Sequence, residues 1–253
     1  MIPRPVKRLY NHAHKPGFRN HIVLPRQPQA IKTISMPHEM VIAILRDNAK
    51  TLTIQSIAEL FPNSSLADDQ TNRFHSELIE LRVLSKSRKG FQLTPWTPSK
   101  IVEHLSVAGA ISTLAVYQMA LHRPTADFTH LEAINSALQA LDQSNAKNLL
   151  QGAYLDYQLH LECVRLSENE AAYDAYISIA PPALWLTAAN FFDVADAQAS
   201  LDQHGNLIMH MRSADAVRAQ EAAQYHFEDA ITQIATASMN QKHSYPAVTS
   251  ISR

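Results

Sequence analysis

The sequence predicts a mainly α protein, in which a small N-terminal module of short helices and one hairpin precedes an all-α antiparallel helical bundle. Apolar residues recur at helical spacing from residue 36 to about residue 238. The only stretch that alternates with a period of two around a glycine is SKSRKGFQLTPW, residues 85–96. Beyond Pro98 no strand pattern appears, so helices must pack on helices there.

Residues 1–35 are predicted to form a flexible basic arm. They contain five prolines, seven Lys or Arg and no acidic residue. The prolines interrupt regular structure, and such a charged, proline-rich composition buries little apolar surface.

Residues 36–97 have the outline of a winged helix-turn-helix. A first helix begins near Met36, a second lies in TIQSIAELF with Thr53 as its cap, and a third lies in QTNRFHSELIELRVL. The alternating stretch around Gly90 then supplies the hairpin, or wing. Three short helices and a basic hairpin in about 60 residues are typical of this DNA-binding fold.

Residues 98–253 are predicted to form the helical bundle, with a loose tail from about residue 240. Breaks at HRPTAD, SENE, IAPPA and RSAD separate the helices, and Ser213 and Asp215 are cap-type residues at the last break. The predicted helices are 99–122, 127–145, 147–166, 169–179, 182–197, 198–211 and 214–238.

Composition excludes several classes of protein. Cys163 is the only cysteine, so neither an internal disulfide nor a thiolate zinc site is available. No window approaches about 18 uninterrupted apolar residues, and the N-terminus lacks the apolar core of a secretory signal. We therefore expect a cytoplasmic protein with no membrane partner.

The charge is divided unevenly along the chain. Residues 1–100 carry 15 Lys and Arg against 7 Asp and Glu, whereas residues 101–253 carry 7 against 16. A basic part joined to an acidic part favours a nucleic-acid-binding module attached to a domain that does not touch the polyanion. The alternative is a basic tail that is merely solvated.

A second pattern lies in YLDYQLHLECV, where Asp156 and His160 are four residues apart and share one side of a helix. Two later helices carry His204, His210 and His226. If these helices reverse near Ser213, His226 lies within about one turn of His204, while His210 is less well placed. Carboxylate and imidazole groups bind Zn²⁺, Ni²⁺ or Mn²⁺, but an Asp-x-x-x-His pair is also common as a surface contact.

These motifs resemble those of the FCD ligand-binding domain, found in the FadR subfamily of GntR-type transcriptional regulators, over residues 98–240. The resemblance rests on DYQLH followed by SENEAA, on two histidines 22 residues apart, and on the Arg-x-x-Asp-Ala start of the last helix. It implies a site inside the bundle for a divalent metal, Zn, Ni or Mn, with open positions for water or an effector carboxylate. The implied ligands are Asp156, His160, His204 and His226.

The N-terminal part is similar to the family's winged helix in SIAELF and in SRKGFQL, but DDQTNRFHSEL replaces the family's usual recognition sequence. Side chains with groups suited to base edges and to phosphates lie in the third helix and the wing. They are Thr71, Asn72, Arg73, His75, Lys86, Arg88 and Lys89. An ordinary solvated helix and loop, with DNA binding lost, is the alternative.

The first bundle helix departs from the family at Ala108, where an Arg often meets the effector carboxylate. Arg123, Arg165, Arg212 or Arg218 would have to replace it. A carboxylate effector therefore depends on the metal.

Two main functions follow. The first is a homodimeric, metabolite-responsive transcription factor that binds double-stranded operator DNA and a small-molecule effector. The second is a helical metalloenzyme with the same four ligands, although no HExxH, Walker, GxSxG or GxGxxG motif is present. A third possibility is a DNA-binding protein whose bundle only dimerises.

Overall fold

The computed structural model describes residues 27–31, 73, 76–87, 90–94, 96–122, 126–142 and 146–241. The mainly α fold predicted from the sequence is confirmed. The helices predicted near residues 36–61, most of the basic arm and the end of the tail lie outside these ranges. The elements are β1 (Leu84–Ser87), β2 (Gly90–Leu93), α1 (Pro98–His122), α2 (Thr129–Gln139), α3 (Ala146–Leu166), α4 (Glu170–Ile179), α5 (Pro182–Ala188), a 3-10 turn (Ala189–Phe191), α6 (Val194–Arg212) and α7 (Ala216–Gln241).

The predicted hairpin is present. Strands β1 and β2 pair antiparallel, with Leu84 opposite Leu93 and Ser87 opposite Gly90. Residues 76–80 before it are helical, and the backbone of Arg82, at φ 57°, turns the chain from that helix into β1.

Helix α1 forms the centre of the bundle and packs chiefly against α7 and α3. Its buried face carries small residues, so the neighbouring backbones approach closely. At the closest point Gly109 faces Phe227, and a Cβ placed on Gly109 would lie 2.9 Å from Cβ and Cγ of that ring. The bundle therefore needs a glycine here.

By length and composition, α1 is the one described helix that could cross a membrane. Since 44% of its apolar window is buried inside the bundle, we interpret it as a core helix.

The hairpin end of the chain and the bundle share one hydrophobic core. Leu81 and Leu84 are 2% exposed and pack in the same cluster as Tyr154 and Tyr157 of α3. The backbone N–H of Ala183 in α5 donates to the carbonyl of Leu81 at 3.0 Å. The two parts are thus joined by packing and by a main-chain hydrogen bond.

The bounds of three predicted helices are corrected. The break expected between residues 197 and 198 lies earlier: α5 ends at Ala188, and α6 begins after Asp193. Asp193 accepts from the N–H groups of Ala195 and Asp196, while Asp196 accepts from the N–H of Asp193, which forms a capping box. The helix predicted at 127–145 spans only Thr129–Gln139.

Candidate metal and effector site

Three helices bring the four predicted metal ligands together. Asp156 and His160 lie one turn apart on α3, His204 lies on α6, and His226 lies on α7. Asp215 caps the start of α7 by accepting from the N–H of Arg218 at 3.1 Å, and the chain reverses there. One donor atom from each of the four residues lies within 4.8 Å of all the others.

The distances between donor atoms suit a common metal ion. Oδ1 of Asp156 is 3.2 Å from Nε2 of His160 and 3.1 Å from Nε2 of His204. Nε2 of His160 is 3.0 Å from Nε2 of His226. Bonds of about 2.0–2.2 Å to a metal place neighbouring ligand atoms roughly 3 Å apart, so the four residues fit such an ion.

The site also contains buried nitrogen atoms that need a partner. His204 is fully buried; its Nδ1 makes no hydrogen bond with the described residues, and its Nε2 lies 3.1 Å from Oδ1 of Asp156 without hydrogen-bond geometry toward that oxygen. A buried polar group without a partner costs about 1–3 kcal/mol. A metal bound at Nε2 would satisfy one of these two atoms.

Burial lowers the pKa of His160 and of His226, the second well below its usual value. For Asp156, burial alone raises the pKa, but the nearby imidazoles of His204 and His160 more than offset it, so the pKa lies well below its usual value. Neutral imidazole and ionised carboxylate are the forms that bind metals.

A hydrogen-bonded chain supports the site from α6 and α7. Nδ1 of His226 donates to Oε1 of Gln203 at 2.8 Å, and Nε2 of Gln203 donates to Oδ2 of Asp229 at 2.8 Å. Gln233 donates to the same oxygen at 3.1 Å. Sequence reasoning missed Gln203 and Asp229; their signal is the spacing, one residue before His204 and three after His226.

A cavity of about 100 Å³ opens beside the cluster. Asp156, His160 and His226 lie in its wall, whereas His204 lies behind them. Leu105, Trp185 and Phe227 give the cavity an apolar side. A small molecule entering the cavity would therefore meet the metal ligands directly.

No Arg or Lys is among the described residues that line this cavity. Arg165 pairs with Glu162 on its own helix, Arg212 with Glu132, and Arg218 with Asp215, while Arg123 lies outside the described ranges. None of the described arginines replaces the one expected near Ala108.

The predicted DNA-binding residues lie mostly beyond the part of the chain that the structure describes. Arg73 is helical and exposed, and the backbone of Lys86 lies in β1. Thr71, Asn72, His75, Arg88 and Lys89 fall outside the described residues.

Comparison with protein families finds a match to the FCD domain over residues 103–229, half of the chain. Comparison with curated proteins gives no match.

Solved structures share the fold. The chain is similar to Lar, which controls the expression of the Listeria monocytogenes agr system and mediates virulence, with a TM-score of 0.54 and 12% identity over 81% of this chain and 99% of that one. It is similar to a putative transcriptional regulator GntR from Rhodococcus sp. RHA1, with a TM-score of 0.51 and 16% identity. The match covers 79% of this chain and 94% of that one. It is also similar to E. coli McbR/YncC, with a TM-score of 0.50 and 12% identity. The match covers 80% of this chain and 98% of that one.

Proposed function

Because this chain belongs to the FCD-domain family, and so to the GntR-type transcriptional regulators of the FadR subfamily, we propose that its bundle binds a divalent metal and a small carboxylate metabolite that together control operator binding. The protein is a transcriptional regulator with an effector-binding domain and not an enzyme. As a transcriptional regulator it would act in the cytoplasm.

The observation that carries the proposal is the convergence of Asp156, His160, His204 and His226 beside a cavity. The ion would be Zn, Ni or Mn, all of which accept imidazole and carboxylate ligands. A bound ion would act as a Lewis acid toward an effector carboxylate in the cavity. Gln203 would hold the ring of His226 in place.

The proposed reading head is residues 36–97, following the basic arm of residues 1–35, and the effector domain is residues 98–253. Thr71, Asn72, Arg73 and His75 would contact bases, and Lys86, Arg88 and Lys89 would contact phosphates. The excess of basic residues in this half of the chain supports that assignment.

A homodimer suits a palindromic operator. It is also supported by the outer face of α1, where Val107, Leu114 and Leu121 recur every seven residues and are 48%, 48% and 49% exposed. Apolar residues at this spacing are typical of a seam between two helices.

Helix α5 connects the cavity to the proposed reading head. Trp185 lines the cavity and meets the ring of Tyr157 edge-on, with centroids 5.8 Å apart. Two residues before it, Ala183 is hydrogen-bonded to Leu81, which ends the proposed recognition helix. An effector that moves Trp185 would thereby shift that helix, with a coupling free energy of about 1–3 kcal/mol.

The test is selection of DNA by the purified, untagged protein. Fragments of DNA from the source organism are incubated with the wild type, with the wild type after chelation, and with His204→Ala. His210→Ala, on the same helix but outside the cluster, is the control. Metal content is measured in parallel by mass spectrometry.

We expect a palindromic site that is retained by the wild type and by His210→Ala, and retained differently after chelation or in His204→Ala. Enrichment that does not respond to the metal would reject the coupling. Absence of enrichment would reject DNA binding, while the metal analysis judges the site independently.

A further inference from the structure

The wall of the cavity beside the proposed metal ligands is acidic. Besides Asp156, the described lining includes the carboxylates of Asp196 and Asp229, together with Ser200, Gln203 and Gln233. Asp196 is already engaged by the capping box at the start of α6. Asp229 is the carboxylate that faces the same space as His226, three residues earlier on α7.

One oxygen of Asp229 is left for a ligand. Oδ2 accepts two hydrogen bonds, one from the carboxamide of Gln203 and one from that of Gln233. These bonds fix the orientation of the carboxylate, while Oδ1 makes no hydrogen bond with the described residues. A fixed carboxylate with one unused oxygen is an acceptor suited to an ammonium group.

The charge of the site limits the ligand further. A divalent ion offsets two of the three lining carboxylates, so the loaded cavity keeps one net negative charge. A simple carboxylate would add a second negative charge with no Arg or Lys in the described lining to pair with it, which is costly in a partly apolar cavity. A zwitterion adds no net charge to the cavity.

Resting on the proposed function, we infer that the effector is a small aliphatic zwitterion, with its carboxylate on the metal and its ammonium group on Oδ1 of Asp229. The apolar side formed by Leu105, Trp185 and Phe227 takes its short hydrocarbon body. The volume of about 100 Å³ suits such a molecule, since drug-sized sites enclose roughly 300–1,000 Å³.

The experiment measures binding to the metal-loaded full-length protein by calorimetry. L-alanine, L-valine and L-leucine are each compared with the acid that lacks the amino group (propionate, 3-methylbutanoate, 4-methylpentanoate) and with the amine that lacks the carboxylate. Each probe is then tested on Asp229→Asn, which keeps an oxygen for the two glutamines and loses the charge. Glu228→Gln is the matched control, because Glu228 is exposed on the same helix and does not line the cavity.

We expect at least one amino acid to bind about 10- to 100-fold more tightly than its deaminated acid, the range for one charge-assisted hydrogen bond. Asp229→Asn should remove that preference when it is loaded to the same metal content as the wild type, and Glu228→Gln should preserve it.

Equal or tighter binding of the deaminated acids overturns the inference, as does a preference that survives in Asp229→Asn. So does the failure of all three amino acids to bind protein that carries its metal. Protein that takes up no metal would instead reject the proposed site itself, so the two failures are separable.

Discussion

Gln203 on α6 accepts a hydrogen bond from Nδ1 of His226 on α7 at 2.8 Å. Because a carboxamide oxygen only accepts, Nδ1 carries the proton, and the lone pair remains on Nε2, which faces the other ligands. Of the three histidines in the cluster, His226 is the one that the described residues orient in this way.

Replacing Gln203 by Leu should therefore lower metal affinity by about 10- to 100-fold, because the ring of His226 loses the group that fixes its tautomer. Competition with a metal-sensitive dye measures this affinity. The control is Gln198→Leu, an exposed position on the same helix, which should bind metal like the wild type. Equal affinity in both variants would contradict the orienting role.

Replacing two helical glycines by alanine should have opposite effects, because Gly109 lies at the contact between α1 and α7 whereas Gly205 of α6 faces open space. Gly109→Ala should destabilise the fold by about 1–3 kcal/mol, because its Cβ would lie 2.9 Å from Phe227, beside His226. Gly205→Ala, with no atom within 4 Å of its Cβ, should be neutral or stabilise by about 0.5–1 kcal/mol. Urea unfolding measures both, and a stabilised Gly109→Ala would show that the helices separate easily.

The histidines predict how the metal-free protein responds to acid. Burial lowers the pKa of His160 and His226 below 6.5, so the unfolded chain takes up protons before the folded one does. Stability should be complete above about pH 6.5 and fall as the pH drops toward the lowered pKa values, by on the order of 1 kcal/mol per pH unit for each such group.

Unfolding at pH 7.5, 6.5 and 5.5 with a chelator present measures this slope. His226→Gln should flatten it, while His210→Gln, outside the cluster, should leave it unchanged. A slope that is the same in all three proteins would assign the pH dependence to other groups.

Removing the hydrogen bond from the N–H of Ala183 to the carbonyl of Leu81 should weaken the coupling between the metal and DNA binding. Ala183→Pro removes the donor, and proline is tolerated in the first turn of a helix. We expect the fold-change in DNA affinity caused by the metal to shrink toward one, at a cost of about 2–4 kcal/mol of stability, because the ring must also displace the neighbours of the fully buried Ala183. Ala171→Pro, at the same place in the first turn of α4 but exposed to solvent, is the control for the effect of proline on the helix start. A metal response that survives in Ala183→Pro would exclude this route.

The helical bundle and the two pairs of ligands could be predicted from spacing, whereas the meeting of the two pairs was implied only by the resemblance to the FCD domain. Asp156 and His160 are one turn apart, and the capped break at Asp215 sets the register between His204 and His226. A helix repeat is regular, so residue numbers alone place such side chains.

The start of α6 and the supporting residues could not be predicted in this way. The capping box uses Asp196, whose short side chain departs from the usual Glu or Gln at that position. Gln203 and Asp229 are polar residues of ordinary type, and only the packing of α6 against α7 brings Gln203 between His226 and Asp229. The absence of an arginine from the described cavity lining likewise depends on which acidic side chain each arginine pairs with in the folded bundle.

Leu81 and Leu84 are covered by side chains of α3, and Ala183 of α5 holds the chain between the helical residues 76–80 and β1. A chimaera that joined this bundle to the head of another regulator at residue 97 would expose Tyr154 and Tyr157 to water unless the new head supplied a matching surface. A transplant of either part would therefore have to carry its own side of this contact surface with it.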